Sequence, residues 1–484
     1  MSLRLNPYPE MKDSGVPWLG EVPEHWDVLP NRALFAEVND RDHPDEQMLS
    51  VTITKGVIPQ QALLEGSSKK DGSNQDKSAY KLVRPGDIAY NKMRAWQGAI
   101  GVSDLRGIVS PAYVVVRPRD KNSAAYFHHL FRTPQFAKEA ERWSYGITSD
   151  MWSMRPEHFR MIYSVLPPRE ERTAAVRFLN QADKRIKRFI AAKRRLIELL
   201  NEQKQAIIQK AVTRGLDSNV RLKPSGVDWI GEVPEHWEVR RLKQVVTHVE
   251  QGWSPQCDAQ AAAEEDWGVL KVGCVNRDQF DPRQNKKLPL PLKPPLDLEI
   301  KDGDILVSRA NTRELVGLAA LAVSPRQKLL LCDKLFRFRA QLGLVDPRFV
   351  VFTIRSQQCR AQIECATNGA SDSMQNIGQD VIRNLWIQVP PVAEQARIVE
   401  EMVAMTGDLT KAIVRSQHEL DLIREYRTRL VADVVTGKLD VRGVELPQLG
   451  EAEDLPALAD EETNEAAEEE TELEPVEEGA DAAE

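Results

Sequence analysis

The chain has 484 residues, with 65 Lys and Arg, 73 Asp and Glu, and a formal net charge of −8. This length predicts about three domains. No apolar run approaches the length of a membrane span, and the charged, proline-rich N-terminus does not resemble a signal peptide. The five cysteines are odd in number and lack a Cys-x-x-Cys spacing. They indicate free thiols in a cytoplasmic protein rather than a zinc site.

The negative charge is concentrated at the C-terminus. From Gly443 onward there are seventeen acidic residues and no basic one, which leaves 65 basic against 56 acidic residues in the rest of the chain, a net +9. The acidic segment has few large apolar side chains to offset the entropy of ordering, so we expect it to be disordered. A moderately basic body is compatible with nucleic acid binding but does not establish it.

A fifteen-residue string occurs twice, at 14–28 and at 225–239, with twelve identical positions. A second pair of segments, 167–217 and 390–440, aligns without a gap at an offset of 223 residues. Repetition on this scale indicates a duplicated domain rather than a solenoid turn. A pseudo-symmetric chain of this kind suits a target with two separated half-sites.

Each second segment has the pattern of a long helix. In 169–213, an a row and a d row of a heptad repeat can be assigned over about four repeats, which predicts a coiled coil. The a row holds Leu179, Ile186, Lys193, Leu200 and Ile207, and the d row holds Ala182, Phe189, Leu196 and Gln203. Pro167 and Pro168 favour a helix start after them, and Gly215 favours a stop.

Two such helices could pack on their own globular blocks or pair with each other. If they pair about a pseudo-twofold axis, they run antiparallel over roughly 60 Å. A variable block at each end would then be spaced by tens of ångströms, comparable to turns of B-DNA at about 34–36 Å.

The two variable blocks, roughly 30–165 and 241–388, both show a mixed α and β pattern. Strands are predicted at 87–90, 112–116 and 162–166, and at 304–307, 335–338 and 385–389. Short helices are predicted at 126–131 and 349–354. The sequences lack the long Val and Ile runs of a wide parallel sheet. The predicted fold class is therefore α+β, with two duplicated domains joined by two long antiparallel coiled-coil helices.

Polar and aromatic clusters follow the strands that begin after Gly86 and Gly303. Arg, Lys, Asn and Gln are the side chains that can contact guanine and adenine edges in pairs of hydrogen bonds. Corresponding positions are polar in both copies but hold different residues. This pattern favours two DNA-binding surfaces that recognise different base sequences over ordinary solvated loops. The DNA-contact candidates are Lys69, Lys70, Lys92, Arg94, Trp96, Gln97, Tyr145 and Thr148 in the first copy and Arg309, Asn311, Thr312, Arg313, Asn368, Ser371 and Gln375 in the second.

Motifs for catalysis are missing from the sequence. No phosphate-binding Gly-rich loop, dinucleotide fingerprint or His-Glu-x-x-His site occurs. Asp281 and Glu299-Ile300-Lys301 have the residue types of a metal-dependent nuclease, but the first copy has Leu82-Val83-Arg84 at that place. The repeated His25 and His236 lie between Glu and Trp, which favours a packed structural role. The repeated Trp residues could also bind a partner protein.

These motifs resemble the specificity subunit of type I restriction-modification systems over about residues 1–442. The segment 390–399 is similar to that family's Pro-Pro-x-x-Glu-Gln-x-Arg-Ile-Val helix start. The first copy keeps Pro167, Pro168 and Glu171 but has Arg172 and Ala175 where Gln395 and Ile398 stand. The Gly-Asp-Ile strands, the Gly-Lys-Leu ending at Gly437 and the Trp-x-Gly-x-Val-Pro-x-His-Trp string also match.

The resemblance implies a domain order and a division of labour. It implies target-recognition domains at 1–166 and 216–389, spacer helices at 167–215 and 390–441, and a tail at 442–484. Each domain would read one half of an asymmetric DNA site, and the helices would dock two methylation subunits. Addition of motor and restriction subunits would let the complex cut DNA. S-adenosylmethionine, ATP and Mg²⁺ are implied for those partners, and no catalytic residue or cofactor for this chain.

Two other functions remain open from the sequence. The long helices and Trp-rich repeats also fit a non-catalytic protein scaffold without base readout. A self-sufficient nuclease or methyltransferase is the third alternative. The acidic tail could act as a solubiliser or as a DNA mimic that shields the basic body.

Overall fold

The computed structural model describes residues 5–64, 76–146, 152–217, 219–257, 260–276, 279–371 and 374–444. The acidic tail beyond residue 444 lies outside these residues. The chain forms two compact units: unit 1 comprises residues 1–196 and 416–484, and unit 2 comprises residues 197–415. Each of the two long helices therefore contributes one part to each unit.

Unit 1 combines short strands with helices. Its strands are β1 Met11–Asp13, β2 Glu21–Pro23, β3 Asp27–Pro30, β4 Phe35–Val38, β5 Leu49–Thr52, β6 Gly56–Pro59, β7 Lys81–Val83, β8 Ile88–Asn91, β9 Ile100–Val102, β10 Gly107–Val109, β11 Tyr113–Pro118 and β12 Tyr163–Leu166. Its helices are α1 Asn31–Leu34, α2 Gln61–Leu64, α3 Ala124–Phe131, α4 Pro134–Arg142, α5 Pro156–Met161 and the first part of α6 Arg169–Arg214. Residues Ala95–Gln97 and Lys121–Ser123 form 3-10 helices.

The central sheet of unit 1 has the strand order β4-β11-β8-β9, and every neighbouring pair is antiparallel. The pair β3 and β12 brings the repeated string next to the strand that precedes α6. Beneath these strands lies an aromatic core with Phe131 at its centre, whose ring lies 4.5 Å from that of Phe136 and 5.6 Å from that of Phe35. Edge and tilted ring contacts of this kind add stability beyond the area that they bury.

Unit 2 has a similar set of elements. Its strands are β13 Leu222–Pro224, β14 Glu232–Pro234, β15 Glu238–Arg241, β16 Glu250–Gln251, β17 Gly268–Leu270, β18 Asn285–Lys287, β19 Ile305–Ser308, β20 Ala310–Asn311, β21 Ala319–Leu321, β22 Leu329–Leu330, β23 Leu335–Phe338, β24 Asn368–Ser371, β25 Met374–Asn376 and β26 Trp386–Val389. Its helices are α7 Pro347–Ile354, α8 Gln357–Cys365, α9 Gln379–Arg383 and the first part of α10 Val392–Val435, together with the end of α6. Residues Leu242–Gln244, Val272–Val275 and Leu296–Leu298 form 3-10 helices.

The central sheet of unit 2 has the order β16-β23-β19-β21, again antiparallel throughout. The strand after the Gly-Asp pair, β8 in unit 1 and β19 in unit 2, holds the same place in the two orders. Unit 2 also has the sheet β18-β17-β22 over its own apolar cluster, and the small sheet β20-β25-β24. The α+β class is confirmed, and the strands and short helices predicted in both variable blocks lie within one or two residues of their expected positions.

α6 begins and ends where the sequence predicts, and α10 begins as expected but ends at Val435, before the expected limit at residue 441. α6 starts at Arg169 after two prolines, and α10 starts at Val392 after Pro390 and Pro391. Gly215 and Gly437 follow the helix ends with φ of +74° and +76°. Only glycine adopts this left-handed conformation without strain. A Cβ at Gly215 would make a tight contact of 3.2 Å with the ring of Trp237, and one at Gly437 would overlap the Pro23 ring.

The predicted heptad rows are only partly right. Leu179, Ala182 and Ile186 are buried as expected, but Phe189 and Leu196 are 42% and 40% exposed. Ile190 is buried instead. The reason is that an α-helix has about 3.6 residues per turn, so its buried stripe drifts by about 20° per heptad from an ideal 3.5-residue repeat.

Within unit 1, the parts of α6 and α10 run antiparallel. Lys193 forms an ion pair with Glu419 at 2.6 Å, and Asp183 forms one with Arg427 at 2.6 Å. Residue numbers thus rise along one helix as they fall along the other. Leu430 and Val434 of α10 also join the core of unit 1 with Leu179 and Ala182 of α6.

A buried carboxylate joins the repeated string of unit 1 to the first turn of α6. Glu171 accepts hydrogen bonds from the indole N–H of Trp26 at 2.9 Å and the hydroxyl of Tyr8 at 3.0 Å, and it lies 2.7 Å from His25 Nε2. Burial alone would raise the pKa of Glu171, but these hydrogen bonds hold the pKa below its ordinary value. Unit 2 repeats the arrangement, since Glu394 in the first turn of α10 contacts His236 at 2.8 Å and Trp237 at 3.2 Å.

Two further expectations concern cysteine chemistry and membranes. The five cysteines are thiols that form no disulfide among the described residues. In the described part of the chain, no helix combines the length and the apolar character needed to cross a membrane.

The variant Glu171→Gln is expected to lower the free energy of unfolding at neutral pH by about 1–3 kcal/mol, because at least one buried donor loses its acceptor. The depressed pKa of Glu171 contributes stability above the pKa of the unfolded state, and that contribution is lost as the pH falls through the folded-state pKa. Thermal unfolding of both proteins as a function of pH should therefore show a difference that shrinks in acid. The control is Glu170→Gln, which removes the same charge from the exposed neighbouring residue. An equal loss of unfolding free energy in both variants would contradict the role of Glu171.

Arg172 is buried, and its Nε and Nη1 atoms have no hydrogen-bond partner among the described residues. Its Nη2 donates to Asp120 at 2.7 Å. The aligned residue in unit 2 is Gln395, whose amide accepts from the N–H of Asp346 and donates to the carbonyls of Leu344 and Pro390. A glutamine at this position can therefore be fully hydrogen-bonded.

Because unpaired buried donors cost about 1–3 kcal/mol, we expect Arg172→Gln to leave the thermal midpoint unchanged or to raise it. Asp120 is half-exposed and can be hydrated after the loss of its partner. Arg172→Ala is the matched control and should lower the midpoint, because it leaves a cavity. A midpoint for Arg172→Gln as low as that of Arg172→Ala would show that the Asp120 ion pair is needed for stability.

Candidate nucleic-acid interface

In unit 1, the first polar cluster lies directly after β8 and is fixed by its backbone. The N–H of Lys92 donates to the carbonyl of Ala112 at 3.1 Å, and the N–H of Met154 donates to the carbonyl of Lys92 at 2.8 Å. These two hydrogen bonds hold the strand end between the central sheet and the loop that follows α4. Lys92, Arg94, Trp96 and Gln97 are therefore close to the segment that carries Trp152.

The side chains of this cluster form a polar and aromatic surface. Arg94 Nη1 donates to Gln97 Oε1 at 3.2 Å, and the indole of Trp96 donates to the carbonyl of Met93 at 2.8 Å. The ring of Trp96 meets that of Trp152 edge-on at 5.6 Å. Tyr145 is 60% exposed, with its ring 5.0 Å from that of His158. A surface of this composition can contact base edges, thymine methyl groups or phosphates.

The corresponding cluster in unit 2 is fixed by the same two backbone hydrogen bonds. The N–H of Arg309 donates to the carbonyl of Lys334 at 2.8 Å, and the N–H of Ile377 donates to the carbonyl of Arg309 at 3.0 Å. The small sheet then pairs Asn311 with Gln375 across β20 and β25. The two units thus hold different residues on an equivalent backbone frame.

The described side chains of this cluster in unit 2 are amides, guanidinium groups and a hydroxyl. Asn311 Nδ2 donates to Asn276 Oδ1 at 3.0 Å, and Arg309 Nη1 donates to the carbonyl of Asp333 at 3.3 Å. Gln375 is only 8% exposed, whereas Thr312 and Arg313 are exposed. The partial burial of Gln375 favours a role in holding Asn311 in register over direct contact with a ligand.

A buried aspartate stabilises the start of β8 in unit 1 and of β19 in unit 2. Asp87 and Asp304 are each 1% exposed, and each accepts a hydrogen bond from the backbone N–H three residues earlier. Arg117 donates to Asp87 at 2.6 Å, and Arg339 donates to Asp304 at 2.6 Å. The repeated Gly-Asp pair marked these positions in the sequence, but its structural role was missed: the aspartate pairs with an arginine on β11 in unit 1 and with one directly after β23 in unit 2.

Positive charge is concentrated near the cluster of unit 1. Burial lowers the pKa of Lys81, and the neighbouring charge of Lys92 lowers it further. The ammonium group of Lys81 donates to the carbonyl of Tyr113, on the strand next to β8. Two cations close together would favour an anionic ligand such as phosphate.

Some of the candidate residues cannot be placed. Lys69, Lys70 and Thr148 lie outside the described residues, and for Asn368 and Ser371 only the backbone in β24 is described. Sequence reasoning also missed Asn276, which directly follows the 3-10 helix Val272–Val275. Base contact by any of the candidates stays a prediction.

The acidic residues considered for a nuclease have structural partners. Asp281 pairs with Arg283 at 3.0 Å, and Glu299 Oε1 accepts the N–H of Lys328 at 2.8 Å. Among the residues that the structure describes, no group of His, Cys, Asp and Glu could hold a metal ion.

Comparison with known proteins finds specificity subunits of type I restriction enzymes among the relatives. No family model matches the chain. The EcoEI specificity subunit of Escherichia coli, a type I restriction enzyme subunit, is 32% identical over 35% of this chain, and the chain spans only 28% of that relative's length. The putative MjaX specificity subunit of Methanocaldococcus jannaschii is 24% identical over 88% of this chain and 96% of its own length.

A solved structure supports the same fold. A chain from a study of complex assembly and conformational transition of the type I R-M system superposes with a TM-score of 0.59, covering 86% of this chain and 99% of its own length at 16% identity. The family resemblance inferred from the repeated motifs is thereby confirmed: the chain is similar over most of its length to the specificity subunits of type I restriction-modification systems.

Proposed function

We propose that this chain is the DNA-reading, non-catalytic subunit of a type I restriction-modification complex, and that each unit reads one half of a bipartite, asymmetric duplex site. One observation carries the proposal. The strand ends at Lys92 and Arg309 have the same backbone hydrogen bonds but present different side chains. Two domains that recognise different base sequences require the same backbone arrangement with different surface side chains. A protein-only scaffold does not require this combination.

The two surfaces differ in the chemistry that they can recognise. The surface of unit 1 combines Arg94 and Gln97 with the rings of Trp96 and Tyr145, and it suits base edges together with thymine methyl groups. The surface of unit 2 presents Arg309, Asn311 and Arg313, and it suits hydrogen bonds to purine edges. The half-sites are therefore expected to differ, which makes the full target asymmetric.

The long helices offer a docking surface for methylation subunits, and through them for motor and restriction subunits. We propose that the helices form the antiparallel coiled coil expected from the sequence, and that their exposed apolar side chains bind those partners. Phe189 and Leu196 on α6 are exposed, as are Val403, Met405 and Tyr426 on α10. The same side chains would also suit a scaffold that binds only proteins, and DNA retention by the purified complex at low salt distinguishes the two functions.

The function is tested by exchanging one variable block. The chain is co-expressed with its methylation subunits in a host that lacks other adenine methylation, and methylated adenines are mapped by sequencing. We expect a split motif, and replacement of 241–388 with the same block of a relative should change one half of that motif only. A contiguous motif, a change in both halves, or methylation without this chain would refute the bipartite reading.

Single contacts are tested with Arg94→Ala and Arg309→Ala in the complex. If either arginine contacts a base, its loss should weaken binding by about 1–3 kcal/mol and relax specificity in one half-site only. Arg94→Lys and Arg309→Lys retain the charge but lack the planar fork, so they should relax specificity as well. Arg142→Ala, an exposed change on α4, is the control. Equal weakening on all sequences, measured by fluorescence anisotropy, would identify a phosphate contact instead.

A further inference from the structure

A row of basic side chains lies on the outward side of α6 in unit 1. Arg177, Lys184, Arg188 and Arg195 are all exposed. They are separated by seven, four and seven residues, and these steps return to nearly the same side of an α-helix. The row extends over eighteen residues, or roughly 27 Å. We call these four residues the basic row.

The basic row faces away from the packed side of the helix. Leu179, Ile186 and Ile190 are buried, and Lys184 and Arg188 lie about half a turn from Ile186. The surrounding segment 184–195 contains seven Lys and Arg and no Asp or Glu. Lys187 and Lys193 in this segment pair with Asp183 and Glu419, so the basic row consists of other residues. Arg188 and Arg195 also have contacts within the chain, but both side chains remain exposed and positively charged.

The fold does not require this charge. The aligned positions of α10 are Glu400, Gly407, Lys411 and His418. α10 has 44 residues and α6 has 46, so the second copy forms an equally long helix without the basic row. A feature that one copy has and the other lacks is explained better by a ligand than by packing.

The basic row is also separate from the apolar surface proposed for protein docking. Phe189 and Leu196 lie on one flank of α6, next to the buried stripe. The basic row lies roughly a third of a turn further round the helix. One helix can thus bind a protein on its apolar flank and a different ligand on its basic side.

We propose that the basic row binds the phosphate backbone of the duplex whose bases unit 1 reads, and that it adds affinity without sequence preference. This inference rests on the proposed function. A row of roughly 27 Å matches about eight base pairs of a polyanion that carries one charge per about 1.7 Å. Guanidinium groups also fit phosphate oxygens in pairs of hydrogen bonds. An acidic protein surface is the alternative ligand for the basic row, and the experiment below distinguishes it from DNA.

The test uses the assembled complex with the triple variant Lys184→Gln, Arg188→Gln and Arg195→Gln. Glutamine keeps a high helix propensity, so the helix should persist, and thermal unfolding checks this. The control triple, Arg142→Gln, Lys411→Gln and Arg429→Gln, removes the same charge from exposed positions outside the basic row. Binding to a cognate and to a scrambled duplex is measured over a range of salt concentrations.

The basic-row variant should lose about tenfold or more in affinity for both duplexes, while the methylated motif stays unchanged. The slope of log K against log salt should become shallower by up to about 2.7, since each lost phosphate contact removes about 0.9. Slopes equal to those of the control would overturn the proposal. So would a loss of methylation subunits with unchanged DNA binding, which would identify an acidic protein partner. Failure of the proposed function is seen separately, as a native complex that does not distinguish the two duplexes.

Discussion

The fold of each unit depends on one carboxylate in the first turn of a long helix. Glu171 and Glu394 lie where the free N–H groups of a helix start favour negative charge. Each is also held by a buried tryptophan and a histidine from the repeated string. A carboxylate with fixed donors on several sides cannot move without breaking more than one hydrogen bond. The start of each helix is therefore fixed to the globular part of its own unit, and the strands that carry the candidate contacts are built on that base.

A second constraint fixes the start of the two strands, β8 and β19, after whose other ends those contacts lie. In each unit, a buried aspartate after a glycine closes the turn before the strand and pairs with an arginine, which lies on β11 in unit 1 (Arg117) and directly after β23 in unit 2 (Arg339). The next residues can then vary, because their positions are set by backbone hydrogen bonds and not by their own side chains. This separation explains how Lys92 and Arg309 can occupy the same place with different neighbours. Changes in the surface residues would alter recognition at little cost in stability.

The sequence predicts those parts of the fold that are repeated or periodic. The repeated strings, the Gly-Asp strands, the starts of both long helices and the end of α6 at Gly215 all have local signals. Phe189 was assigned to the wrong side of α6 because a heptad template drifts away from a straight helix over several turns. The sheet β20-β25-β24 and the contact between Asn311 and Asn276 could not be predicted, because they join segments far apart in the chain without a repeat to guide the alignment.

The surface of α6 shows why its two copies could diverge. A helix in contact with one partner needs only one constrained face, and the remaining positions are free to change. In unit 1, α6 has a buried stripe at Leu179 and Ile186, an exposed apolar flank at Phe189, and a basic side opposite the core. Only the buried stripe is needed for packing, so α10 can keep the length and the ends of the helix while it places an acid and a glycine where α6 has basic residues. The residues on the exposed faces of these helices are therefore determined by the ligands that they bind, whereas the residues on the buried face are determined by packing in the fold.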